Sequence, residues 1–217
     1  MEPELLIKTF PRLYHMAERD AWPSIRQHGL LSTTALLDLF EINGAQRTAL
    51  EEAHRPESVI ITHPKYGKAT VRDQKPMDDK GLTRCLTGVT PREWYRILNR
   101  KTFFWLTEER FRTLIGARAY RKKEHCLIVV DTRKLVEQHM ERVYLSPMNS
   151  GCTKPMPHPR SKETFLPLRD YPFADWAQKR HHPQKAIVEL AVDYSVPNIN
   201  SMTVRVEIWN ANGVVKK

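Results

Sequence analysis

The stretch KAIVELAVDYSVPNI, residues 185–199, decides how the rest of the chain is interpreted. Its apolar run predicts a buried strand over residues 187–192, which ends before a turn at Pro197. Glu189 interrupts this run, although an unpaired buried carboxylate costs several kcal/mol. The residues alone leave two interpretations open. Either Glu189 lies at a sheet edge or in an ion pair, or it has a chemical function.

Composition favours one folded domain over residues 1–217. The chain is 41% hydrophobic and contains five Trp, seven Tyr and seven Phe, which is enough apolar material for a core. Its net charge of +10 favours polyanionic partners, and nucleic acid first among them. Charge of this kind attracts polyanions without reading their sequence.

Several classes of protein are not expected. No apolar run approaches the roughly 18 residues of a membrane-spanning helix, and the N-terminus lacks the pattern of a signal peptide. We therefore expect a soluble, cytoplasmic protein without membrane contact. Cys85, Cys126 and Cys152 are too far apart for a disulfide framework, and the absence of HExxH and CxxC patterns predicts no metal site.

Predicted helices and strands mix without regular alternation, which favours the α+β class. A helix is expected over residues 20–29, capped by Asp20 and ended by glycine. Another begins at Thr90, with the signature of a capping box. Residues 146–172 form an irregular stretch longer than normal connections, which indicates a functional loop.

Basic and aromatic residues interleave in three places: REWYR (residues 92–96), ARAYRKK (residues 117–123) and KRHH (residues 179–182). Such clusters suit phosphate contacts combined with base stacking. The alternative is that each is a solvated helix face whose aromatic residues are buried.

Three segments carry a resemblance to a known family. LYHMAERDAWPSIRQHGLLS (residues 13–32) and KTFFWLTEERFRTLI (residues 101–115) are similar to the opening and the aromatic strand of DarT-type nucleic-acid ADP-ribosyltransferases. KAIVELAVDYSVP resembles the segment of that family in which the catalytic glutamate precedes a proline by eight residues. The resemblance implies an ADP-ribosyltransferase-like core, a split mixed or antiparallel β-sheet with flanking helices.

The resemblance also implies NAD as the substrate that donates ADP-ribose, and it assigns residues to roles. Phe104 stands where the family often has Tyr, so the stacking surface is kept and the hydroxyl lost. The residues between Leu36 and Pro56 depart from the family pattern. The implied catalytic residues are Glu189 and Arg72; the implied NAD-binding residues are Tyr14, His15, Ser32 and Phe104; the implied nucleic-acid contacts are Asn149, Ser150 and Arg121.

The implied function is mono-ADP-ribosylation of a base in DNA or RNA. Single-stranded acceptors are favoured because flipping a base out of a duplex costs a few kcal/mol. An antitoxin or an ADP-ribosyl hydrolase is a further implied partner. Three alternatives stay open: a non-catalytic nucleic-acid-binding module, an ADP-ribosyltransferase that acts on protein, and a tRNA 2′-phosphotransferase-like enzyme. The retained Glu189 speaks against the last of these.

Overall fold

An eight-stranded sheet organises the computed structural model, which describes residues 1–216. Its strand order is β12-β11-β6-β1-β5-β9-β7-β8, and every neighbouring pair is antiparallel. The strands of this sheet are β1 (Arg12–Glu18), β5 (Lys101–Trp105), β6 (His125–Asp131), β7 (Val143–Ser146), β8 (Leu166–Pro167), β9 (Glu189–Asp193), β11 (Thr203–Asn210) and β12 (Gly213–Lys216).

Two small sheets and ten helices surround it within the described residues, as expected for the α+β class. The small sheets pair β3 (Val59–His63) with β4 (Gly67–Val71), and β2 (Leu30–Leu31) with β10 (Ser195–Val196). The helices are α1 (Pro3–Thr9), α2 (Trp22–His28), α3 (Thr33–Leu39), α4 (Gly44–Glu51), α5 (Asp79–Cys85), α6 (Pro91–Asn99), α7 (Glu108–Gly116), α8 (Thr132–His139), α9 (Phe173–Lys179) and α10 (Ile199–Met202). None of them is long and apolar enough to cross a membrane.

Apolar side chains cover both faces of the large sheet. Two adjacent residues of β9 show this, because Leu190 packs into the largest core cluster and Ala191 into a second cluster with Trp94 and Phe165. Period-two alternation places neighbouring strand residues on opposite faces. The predicted strand around Glu189 is therefore buried on both sides, as its near-continuous apolar sequence indicates.

Helix α6 forms where its capping signature predicted. The Thr90 side chain accepts a hydrogen bond from the Glu93 backbone N–H, and the Glu93 carboxylate accepts one from the Thr90 backbone N–H, which satisfies two donors at the helix start. Helix α2 is different. Its N-cap is Ala21 with no side-chain cap, and Asp20 instead pairs with Arg19 at 2.8 Å, so the expected Asp20 cap is wrong.

A close backbone contact connects α2 to the turn after β9. Gly29 has φ of +86°, and a Cβ at this position would lie 2.6 Å from the Cα of Pro197. Only glycine fits both the conformation and the space. The pairing of β2 with β10 continues this contact. The chain that follows β9, which carries Glu189, is therefore held against the chain that follows α2.

Candidate active site

The large sheet is split between β1 and β5. These strands share a single register pair, Tyr14 with Trp105, whereas β1 pairs with β6 over seven residues. Past this pair, residues 15–18 of β1 and 101–103 of β5 line a pocket of about 610 Å³. We call this opening the notch.

His15 lies at the start of the notch. Its Nδ1 is 2.8 Å from the carbonyl oxygen of Phe103, so Nδ1 carries the proton and donates it to that oxygen. Burial lowers the pKa of His15 from 6.5 to about 4, and the nearby charge of Arg72 acts in the same direction. The imidazole is thus neutral at physiological pH, and its Nε2 is a hydrogen-bond acceptor.

The aromatic surface of the cleft comes from Phe103 and Trp105 rather than Phe104. Both line a smaller pocket of about 260 Å³, and Phe103 lines the notch as well. Phe104 is 1% exposed and packs in the main core on the opposite sheet face. Its ring centroid is 5.7 Å from that of His15, but the structure corrects its expected role as a surface of the cleft.

Glu189 begins β9 and lines the smaller pocket. Its register partners are Trp105 on β5 and Ser146 on β7, and it is 5% exposed. One carboxylate oxygen accepts two hydrogen bonds from Ser150, from the backbone N–H at 3.1 Å and from the hydroxyl at 2.6 Å. No arginine forms an ion pair with Glu189 in the described chain.

Burial raises the pKa of the Glu189 carboxyl from 4.5 to about 7. The Ser150 hydrogen bonds and the charges of Arg160 and Arg110 offset only part of this rise. A carboxyl group with a pKa near neutrality in a pocket is typical of functional sites. The carboxyl group of Glu189 is thus held in place by Ser150, and its pKa is raised well above its ordinary value.

The loop that carries Ser150 is held by a buried arginine. Arg160 is 3% exposed and donates to the carbonyl oxygens of Ser150 at 2.8 Å, Cys152 at 2.9 Å and His158 at 3.1 Å. Asn149 lines the smaller pocket beside Ser150. The structure gives Ser150 a role that differs from the expected base contact, because both of its donors are directed at the carboxylate.

Arg72 borders both pockets. Its Nη1 donates to the carbonyl oxygen of Met16 at 2.9 Å, and its guanidinium lies 5.5 Å from the ring centroid of Tyr120. Its Nε lies 3.1 Å from Glu18, but the direction of the N–H leaves this buried donor without a hydrogen bond. The Arg72 guanidinium is thus held at the border of both pockets by the Met16 carbonyl oxygen and the charge of Glu18.

A second buried arginine supports the segment of Arg72. Arg55 is 5% exposed and donates to the carbonyl oxygen of Arg72 at 3.0 Å and to Asn99 at 2.9 Å. Burial lowers the pKa of Arg55 to about 10. Sequence reasoning missed Arg55 and Arg160, because the partners of both are mainly backbone carbonyls.

The remaining residues with an expected role are Ser32, Tyr14 and Arg121, and of these Ser32 lines a pocket. Ser32 caps α3 by accepting from the backbone N–H of Ala35 at 3.1 Å, and it lines the notch. Tyr14 packs beside the cluster of Phe111, on the same sheet face as its register partner Trp105, and Arg121 lies on an exposed turn. Neither Tyr14 nor Arg121 lines one of the two pockets.

The two pockets share lining residues and are therefore adjacent. Thr33, Arg72, Lys101 and Phe103 border both of them. His15 lines the notch and Glu189 the smaller pocket. The register pairs place the side chain of His15 on the sheet face of Phe104, and that of Glu189 on the opposite face with Trp105.

A family model matches residues 11–203, which include every residue that lines the cleft. The chain belongs to DUF7002, a family of unknown function. No curated protein matches the sequence. In this DUF7002 protein, the matched segment leaves out α1 at one end of the chain, and most of β11 and all of β12 at the other.

Proposed function

We propose that this protein is an NAD-dependent mono-ADP-ribosyltransferase that modifies a base in DNA or RNA. The observation that carries the proposal is Glu189, a buried carboxylate held by Ser150 in a pocket adjacent to the notch that His15 lines. The resemblance of the sequence to DarT-type enzymes supports the same assignment.

The notch fits NAD by its size and its donors. Its volume of about 610 Å³ lies in the range of small-molecule sites, roughly 300–1,000 Å³. The neutral His15 offers Nε2 as an acceptor for a ribose hydroxyl. Arg72 borders the notch and offers positive charge to the phosphates. Phe103 supplies a flat apolar surface.

The chemistry that NAD supplies is a glycosidic bond whose cleavage leaves positive charge on the ribose. Glu189 stabilises such charge once it is ionised, and its effect is strong because the carboxylate is fixed and shielded from water. The pKa of about 7 means that the ionised form predominates only above neutral pH. Ser150 keeps the carboxylate in place during this step.

The smaller pocket is the proposed site of the acceptor base. It holds Glu189 together with Asn149, whose amide can both donate to and accept from the edge of a base. Trp105 borders the same pocket and provides a stacking surface. The net charge of +10 favours a polyanionic acceptor.

The proposal is tested with Glu189→Gln. The variant is incubated with labelled NAD and mixed single-stranded nucleic acids, and the label transferred is measured. We expect NAD binding to persist while transfer falls by about 10²–10³, the effect typical of a lost electrostatic group. Glu141→Gln, which removes an exposed carboxylate after α8, is the matched control. Equal labelling by Glu189→Gln and wild type would contradict the proposed mechanism.

A further inference from the structure

Two arginines lie close to the chain that continues from the two strands flanking β9. Trp105 on β5 pairs with Glu189, and the chain then enters α7, which carries Arg110. On the other side Ser146 pairs with Glu189, and the carbonyl oxygen of the next residue accepts a hydrogen bond from Arg180 at 3.0 Å. The charge of Arg110 lowers the pKa of Glu189, and the charge of Arg180 lowers the pKa of Arg110.

Neither arginine is neutralised by an acid. Across residues 1–216, the side chain of Arg110 makes no ion pair and no hydrogen bond, and Arg180 donates only to a backbone carbonyl. Burial lowers the pKa of Arg110, the positive charge of Arg180 lowers it further, and Glu189 acts in the opposite direction. Two cations that form no ion pair produce a positive potential around them.

The two arginines lie at the border of the smaller pocket. Leu114 lines that pocket, and Arg110 precedes it by four residues on α7, so the two share one helix face. Arg180 bonds to residue 147, two positions before Asn149, which lines the pocket too. Arg110 and Arg180 line neither pocket themselves, and the cations of the notch are Arg19, Lys68, Arg72 and Lys101.

The basic character continues beyond Arg180. The segment KRHHPQK, residues 179–185, follows α9 and contains no acidic residue. Its Lys179 lies 4.8 Å and Arg180 5.5 Å from the ring centroid of Trp176. Exposed cations beside an aromatic ring are the arrangement that single-stranded nucleic acids use for backbone contact and stacking.

We infer that Arg110 and Arg180 bind a backbone phosphate of a single-stranded nucleic acid whose adjoining base enters the pocket of Glu189. The inference rests on the proposed function, and it specifies the acceptor as a polynucleotide rather than a free base or nucleoside. Residues 179–185 extend the contact along the strand. The acceptor is held by its phosphate outside the pocket and presents its base inside it.

The test measures binding of a fluorescein-labelled, single-stranded oligonucleotide by anisotropy between about 50 and 200 mM salt. It compares wild type, Arg110→Gln/Arg180→Gln, and the control Arg26→Gln/Arg169→Gln, which removes two exposed arginines elsewhere. We expect the first double variant to bind about tenfold or more weakly, since charged hydrogen bonds are lost. The slope of log K against log salt should become shallower by about 0.7, the value for one phosphate on a single strand.

Thermal melting establishes that all variants fold, and NAD-induced stabilisation is measured in parallel. Equal losses of oligonucleotide affinity in both double variants would overturn the inference, because a general charge effect would then explain the binding. Weaker NAD binding in Arg110→Gln/Arg180→Gln would also overturn it, because the site would then serve the NAD phosphates. Failure of the proposed function is distinguishable. In that case wild type transfers no ADP-ribose, while the two double variants still differ in oligonucleotide binding.

Discussion

Replacing Glu189 by glutamine should stabilise the protein, and the gain should grow with pH. The native carboxyl has a pKa raised from 4.5 to about 7 by burial. Between these values the folded state holds its proton more tightly than the unfolded state does. Stability therefore falls as pH rises through this window and stays reduced above it. Above neutral pH the ionised carboxylate costs about 3 kcal/mol of unfolding free energy.

Glutamine at this position is neutral at every pH, and its carbonyl oxygen can still accept from Ser150. The stability of Glu189→Gln relative to wild type should therefore increase by about 2.5 kcal/mol between about pH 5 and pH 8. For a chain of this size the corresponding change in Tm difference is roughly 5–10 °C. Other titrating groups are common to both proteins and cancel in the comparison.

Urea unfolding at the two pH values measures the difference directly, and thermal melting provides a second measurement. Glu141→Gln is the control for the change in net charge, because its carboxylate is exposed. If the stability difference between Glu189→Gln and wild type were the same at both pH values, the carboxylate would not be destabilised by burial. Under the proposed function, the same ionised carboxylate that costs stability stabilises the charge on the ribose.

Two further comparisons distinguish residues that bind NAD from residues that stabilise the fold. Phe104→Ala should lower the unfolding free energy by about 3–5 kcal/mol, as expected for a buried ring. Phe103→Ala should mainly weaken NAD-induced thermal stabilisation, and the opposite result would mean that Phe104 lines the cleft. Arg160→Met should cost about 2–4 kcal/mol, because three carbonyl oxygens lose their donor, and it should move the midpoint of the transfer-against-pH profile upward. An unchanged midpoint would mean that Arg160 does not influence Glu189.

The position of Glu189 was predictable from the sequence because a charged residue within an apolar strand is a local signal. Which aromatic side chains of β5 face the pocket of Glu189 was not predictable. FFW places aromatic rings on both faces, and only the register between β5 and β9 shows that residues 103 and 105 share the face of Glu189. A shift of one residue exchanges the core ring for the cleft ring.

The supporting groups of the cleft were beyond sequence reasoning for a different reason. Arg55 and Arg160 bind carbonyl oxygens that any residue type provides, so no pattern identifies their partners. The strand β7 was also missed, since VYLS is too short to show a clear alternation. The capping box at Thr90 was predicted correctly, because its signal lies within four consecutive residues.

The split between β1 and β5 has a mechanical consequence. It divides the large sheet into two halves, β12-β11-β6-β1 and β5-β9-β7-β8, joined in register only by Tyr14 and Trp105. His15 belongs to the first half and Glu189 to the second. The separation of these two side chains therefore depends on the angle between the halves. A molecule that fills the notch contacts both halves and restricts changes in this angle.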